Sequence, residues 1–159
     1  MTKEDIENLG VCDKLFLGIH GNRAFGINCY EIMGKRRTFE FKYDKNGKLN
    51  EIIIDMGEYN EAIFEKLDGL LASKYTKTHN YSESDRLGFN NKQKNEIFNL
   101  YKNGQVSLVL KHDCKKLSSR GLSCVQWGMK MFVVYVNQMK ANKKIEKTSK
   151  SRLKKSDFW

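Results

Sequence analysis

From Phe25 the chain alternates apolar and polar residues with a period of two. Phe25, Ile27 and Cys29 lead to the turn signal Gly34-Lys35-Arg36-Arg37, after which Phe39, Phe41 and Tyr43 alternate with Thr38, Glu40 and Lys42. Successive side chains of a strand point to opposite faces, so this pattern predicts two half-buried strands of an antiparallel meander. Asp44-Lys45-Asn46-Gly47 predicts the next hairpin turn, because Asn and Gly accept the positive φ that such a loop demands. Ile52-Ile53-Ile54 then predicts a third strand, buried on both faces or central in the sheet.

The period changes over residues 59–74. Ile63, Phe64, Leu67, Leu70 and Leu71 fall at i, i+1, i+4, i+7 and i+8, which is one apolar stripe of a helix packed on the sheet. Residues 75–91 are polar and poor in apolar anchors, which predicts a long exposed loop with His79 and Tyr81 as candidate contact residues.

Residues 93–111 carry two readings. In the preferred one, residues 96–102 pair with 105–111 through the turn Asn103-Gly104, a strong hairpin signal, with Val106, Leu108 and Leu110 on one face. In the other, residues 92–122 hold a helix-turn-helix. The run Gln93-Lys94-Asn95-Glu96-Ile97-Phe98-Asn99-Leu100-Tyr101-Lys102-Asn103-Gly104 resembles the opening of resolvase- or transposase-type helix-turn-helix units, and would imply DNA contact. The resemblance stops after these twelve residues: Leu110 stands where such units need a small residue, and Val106 and Val109 favour a strand. Residues 112–121 predict a polar, basic loop, and strand character returns over 122–136. Met131-Phe132-Val133-Val134-Tyr135-Val136 is the firmest strand and predicts a central position. The expected architecture is a single α+β domain over residues 1–138: one antiparallel sheet of five or six strands, one principal helix on one face, and a basic tail over 139–159, flexible or marginally helical.

Charge refines this picture. The chain of 159 residues carries +10, but +7 of it lies in residues 140–155, where Lys140, Lys143, Lys144, Lys147, Lys150, Arg152, Lys154 and Lys155 face one acid, Glu146. The body is only mildly basic, so the overall charge does not by itself make a nucleic-acid binder. No apolar run approaches the roughly 20 residues of a membrane span, and the acidic first nine residues lack the apolar stretch of a secretory signal.

The four cysteines form two local pairs, Cys12 with Cys29 and Cys114 with Cys124, whose closure would stabilise by about 3 kcal/mol each on the chain-entropy model. Paired, they imply a periplasmic or secreted protein. Left free, Cys29 and Cys124 read as buried strand residues of a reduced cytoplasmic one.

No catalytic constellation emerges. The glycines around Gly18, Gly21 and Gly26 fit no phosphate-binding spacing. His112, Cys114 and Cys124 lack the paired spacing of a zinc site, so no metal or cofactor is expected. His112-Asp113-Cys114 are neighbours in sequence, where strand side chains point apart. The supported reading is a small non-catalytic binding protein that recognises or occludes a protein partner through the 75–91 loop and the basic groups Lys35, Arg36, Arg37, Lys115, Lys116 and Arg120. Its pattern loosely resembles that of small α+β accessory or inhibitor domains of bacterial envelope or phage origin. The alternative is a nucleic-acid-binding protein that uses the basic tail and loops.

Overall fold

The computed structural model describes residues 1–18 and 21–142. Two four-stranded meanders follow one another along the chain and join edge to edge. The first comprises β1 (Lys14–Leu17), β2 (Arg23–Ile27), β5 (Thr38–Tyr43) and β6 (Leu49–Glu58), with a small ribbon of β3 (Glu31–Ile32) and β4 (Lys35–Arg36) inserted between β2 and β5. The second comprises β7 (Lys77–His79), β8 (Glu96–Tyr101), β9 (Val106–Leu117) and β10 (Cys124–Val136). Pairing of β6 with β10 gives one antiparallel sheet in the order β1-β2-β5-β6-β10-β9-β8-β7.

The described residues hold three α-helices: α1 (Lys3–Leu9), α2 (Glu61–Lys74) and α3 (Glu83–Asn90). All three lie on one face, where Ile6 of α1, Phe64, Leu67 and Leu71 of α2 and Phe89 of α3 share a core with Phe39, Phe41, Ile54, Leu108, Leu110, Met131 and Val133 of the strands. Alternation sends Ile53, Val134, Ser107 and Leu100 to the opposite face, together with the ion pairs Lys42–Glu51 and Lys130–Asp55.

The expectation of five or six strands with one principal helix is therefore corrected to a mostly β fold with eight strands and three helices. β5, β6 and α2 stand where the pattern puts them, but β2 is turned over: Ala24 and Gly26 face the core, Phe25 and Ile27 are exposed, and the strand ends before Cys29. The triple Ile lies in β6 and the 131–136 run in β10, both inside the sheet.

Three expectations fail locally. The 75–91 segment is not a loop: it contains β7 and α3, and α3 starts at a capping box in which the Ser82 hydroxyl accepts from the Asp85 N–H at 3.1 Å while the Asp85 carboxylate accepts from the Ser82 N–H at 3.0 Å. Residues 112–117 are not loop either but the outer half of β9, drawn into the ladder by the equally long β10. The helix-turn-helix reading is overturned, because Glu96 to Tyr101 pair with Lys111 to Val106 as a hairpin. Its turn is longer than Asn103-Gly104 alone: Lys102, Asn103 and Gly104 all take positive φ (51°, 54° and 83°).

Candidate binding arm and the cleft at its base

Two strands outrun their neighbours. β8 stops pairing with β9 at Lys111, and β6 stops pairing with β10 at Lys130. Beyond those points β9 and β10 continue as a two-stranded arm, with Met129 opposite His112, Trp127 opposite Cys114 and Cys124 opposite Leu117. The tip is a tight loop in which Ser118 N–H donates to the Ser123 carbonyl at 2.7 Å and Gly121 N–H to that of Ser118 at 2.8 Å. Cys114 and Cys124 stand at disulfide distance across the arm, their Cα atoms 5.8 Å apart. Two register shifts between Cys124 and Trp127 bulge the arm once on each strand, at Val125 of β10 and at Lys115 of β9.

Having no sheet neighbour to cover them, the arm's apolar side chains face water. Leu122 is 85% exposed, and Leu117, Val125 and Trp127 are also exposed. Between Lys111 and Lys130 five cations accompany one acid, Asp113. Lys111 pairs with Glu96 at 3.6 Å, Lys115 with Glu58 at 3.0 Å and Lys130 with Asp55 at 3.4 Å, while Lys116 and Arg120 are exposed on the arm.

At the arm's base is a cleft of about 510 Å³ lined by Lys92, Asn95, Glu96, Lys111, His112 and Trp127. It occupies the notch where β8 ends and β9 runs on. Its floor is rigid: the His112 ring stacks on the fully buried Phe89 at 3.9 Å and 11°, its Nε2 lies 2.8 Å from the Phe89 carbonyl oxygen, and the Trp127 ring meets it edge-on at 6.3 Å. The Lys92 ammonium lies 4.5 Å from the Trp127 ring centre, an attraction of cation to aromatic face. α3 holds this corner in place. The Asp85 carboxylate is pulled down to about 2, chiefly by the hydrogen bond from Lys94 and then by the Ser82 N–H, which ties the end of α3's loop back to its start.

The residues singled out from sequence fall in different settings. Lys115, Lys116 and Arg120 lie on the arm. Lys35, Arg36 and Arg37 lie on or beside the β3–β4 ribbon, where the two guanidiniums serve the fold. Arg36 donates to both Asp13 carboxylate oxygens at 3.1 and 3.2 Å and to the Cys29 carbonyl, and Arg37 donates to the Ile32 and Met56 carbonyls, each at 3.0 Å.

His79 packs against Phe98 at 5.7 Å, and Tyr81 is edge-on to Phe64 with its N–H donating to Asn99 at 3.0 Å. Burial raises the Tyr81 hydroxyl above its ordinary value. Beside it, Asp68 is pushed up by burial but brought below its ordinary value overall by hydrogen bonds from Tyr101, Lys77 and Asn99, a network that fastens α2 to β7 and β8.

Cys12 and Cys29 stand at disulfide distance at the first edge of the sheet, with Cα atoms 3.8 Å apart. Lys140 pairs with Glu51 at 2.9 Å beside the fully buried Ala141, in the helical turn 138–142. The other tail candidates, Lys143, Lys144, Lys147, Lys150, Arg152, Lys154 and Lys155, lie outside the described residues.

Sequence reasoning missed Leu117, Leu122, Val125 and Trp127 as surface residues, together with Lys92 and Lys111 beside them. One signal was available: Leu122 sits in Ser-Ser-Arg-Gly-Leu-Ser, an apolar residue set among turn formers. No described helix is long and apolar enough to cross a membrane. Comparison with protein-family models, curated proteins and solved structures finds no match for this chain.

Proposed function

We propose that this is a non-catalytic protein-binding module that engages its partner with the β9–β10 arm and so recruits or occludes it. One observation carries the reading: Leu117, Leu122, Val125 and Trp127 are exposed together on a ribbon that outruns both neighbouring strands. Water-facing apolar side chains cost solubility, and a Trp and three aliphatic residues exposed along one short arm with cations among them match the composition of protein-interface centres. A staple between Cys114 and Cys124 would pre-order the arm and lower the entropy lost on binding. The two cysteine pairs at disulfide distance support a periplasmic or secreted setting.

The test is photo-crosslinking in the native host, with a benzophenone amino acid in place of Leu122 and, as control, in place of the exposed Lys45. The reading expects one protein adduct from position 122 and none from position 45. Adducts to nucleic acid, or equal labelling at both positions, would overturn it. The first of these would favour the nucleic-acid alternative, for which Lys116, Arg120 and Trp127, all exposed on the arm, supply cations and a stacking surface.

A further inference from the structure

The arm has a second property, carried by its backbone rather than by its apolar side chains. Past Lys111 the outer edge of β9, residues 112–117, has no strand partner among the described residues, whereas its inner edge is paired to β10 except at the bulged Lys115. Every second residue of such an edge aims its N–H and C=O outward, which makes it a template for one more strand.

The two edges of the arm differ. On the β10 side the Met129 carbonyl, at the base of the arm, already accepts from the Tyr59 N–H at 2.8 Å, and a bulge at Val125 breaks the outer run. The β9 side runs unbroken from Lys111 through Cys114, with its one bulge at Lys115 nearer the tip, and the cleft lined by Lys92, His112 and Trp127 lies along the unbroken part, in line with the end of β8.

We infer that this edge accepts an extended, acidic segment of the partner protein as an added strand that continues the line of β8. The inference rests on the reading of the arm as the partner-binding element and names what the arm recognises. Six residues of strand span about 20 Å, and side chains of the added strand alternate between the two faces of the arm. On one face they meet Trp127, His112 and Lys92; on the other, Asp113 with Lys111 and Lys115, which already hold Glu96 and Glu58. Carboxylates on the incoming strand are matched by Lys92 at the base of the arm and by Lys116 and Arg120 toward its tip. A second copy of this chain is disfavoured as the occupant, because it would bring together two arms that each carry five cations and one acid between Lys111 and Lys130.

The experiment selects a displayed library of random eight-residue peptides on the oxidised full-length protein. The strongest binder is then measured by titration and by amide hydrogen exchange. Expected are peptides enriched in Asp and Glu, slowed exchange at alternate amides of residues 112–117, and affinity reduced about tenfold in the Lys92→Glu/Lys116→Glu variant. Peptides without acidic enrichment, protection confined to other strands, or a concentration-dependent dimer in light scattering that competes with peptide would overturn the inference. If position 122 crosslinks a protein while the 112–117 amides stay unprotected, strand addition fails and the binding arm stands. If position 122 finds no protein, the arm itself is wrong.

Discussion

Replacing Phe89 by Ala tests whether α3 and the cleft corner hang on a single side chain. Phe89 is fully buried, is the one buried residue of α3, and lies flat on the His112 ring at 3.9 Å. Truncating a buried Phe costs about 3–5 kcal/mol, from lost transfer energy and the cavity left behind. α3 is an eight-residue helix at the surface and can settle partly into the gap, whereas His112 is fixed from behind by the sheet. The expected loss is therefore about 3–4 kcal/mol, which for a chain of this size lowers Tm by roughly 8–14 °C. Urea unfolding followed by circular dichroism reads the global loss. Trp127 emission in the native baseline reads the local one, because the Trp ring rests edge-on against His112. Leu87→Ala is the control: Leu87 lies on the same helix but is 62% exposed, so its loss should stay within about 0.5 kcal/mol. A Phe89→Ala protein within 1 kcal/mol of wild type, or a Leu87→Ala protein equally destabilised, would refute the reasoning.

Three further outcomes are expected. At Gly26 a Cβ would overlap the Cys12 sulfur and lie 2.7 Å from that of Cys29. Gly26→Ala should therefore cost about 2–3 kcal/mol in urea unfolding, and less than about 1 kcal/mol in a Cys12→Ala/Cys29→Ala background, where the obstacle is gone.

The second outcome concerns acid. The folded carboxyl of Asp85 sits at about 2 against an ordinary 3.8, so its contribution is complete above pH 4 and lost as pH falls toward 2. Lys94→Gln removes the leading cause of that depression and should flatten the fall in stability between pH 4 and pH 2; an unchanged slope argues against the pairing. Finally, Cys114→Ser/Cys124→Ser should lower the stability of the oxidised protein by about 2–3 kcal/mol, as expected for releasing a ten-residue loop. No change would mean that the wild-type thiols are free, and free thiols in an intact-mass measurement would confirm it.

What could be read from the chain was what local burial writes into it. β5 alternates cleanly because Phe39, Phe41 and Tyr43 enter the core while Thr38, Glu40 and Lys42 do not. α2 is long enough for its stripe to repeat. α3 buries only Phe89, so no period could show; its sole trace is Ser82-Glu83-Ser84-Asp85, the capping box at its start. α1 is similar, with a Thr2–Asp5 box and Gly10 in the left-handed conformation at its end.

The outer half of β9 escaped notice because a two-stranded arm with both faces toward solvent has no apolar face to alternate. Its exposed Trp127 and Leu122 were illegible for a related reason: whether a strand residue is covered depends on where the neighbouring strands stop. Arg36 and Arg37 show the converse, since a basic run looks the same in sequence whether its guanidiniums meet solvent or backbone carbonyls.

Glu51 to Glu58 must find Val136 to Lys130 across roughly eighty residues of chain, whereas most of the other pairings in either meander join strands close in sequence. Each half can thus form rapidly by itself, in the microseconds typical of hairpins, and then wait. The rate at which the whole sheet appears is set by the search that brings these two distant edges together. Because β10 follows every other strand of the sheet in the chain, that search cannot begin until both halves of the sheet have been synthesised. Until it succeeds, β6 and β10 are each a bare sheet edge, and the chain is most vulnerable to aggregation in the interval between synthesis and closure of that seam.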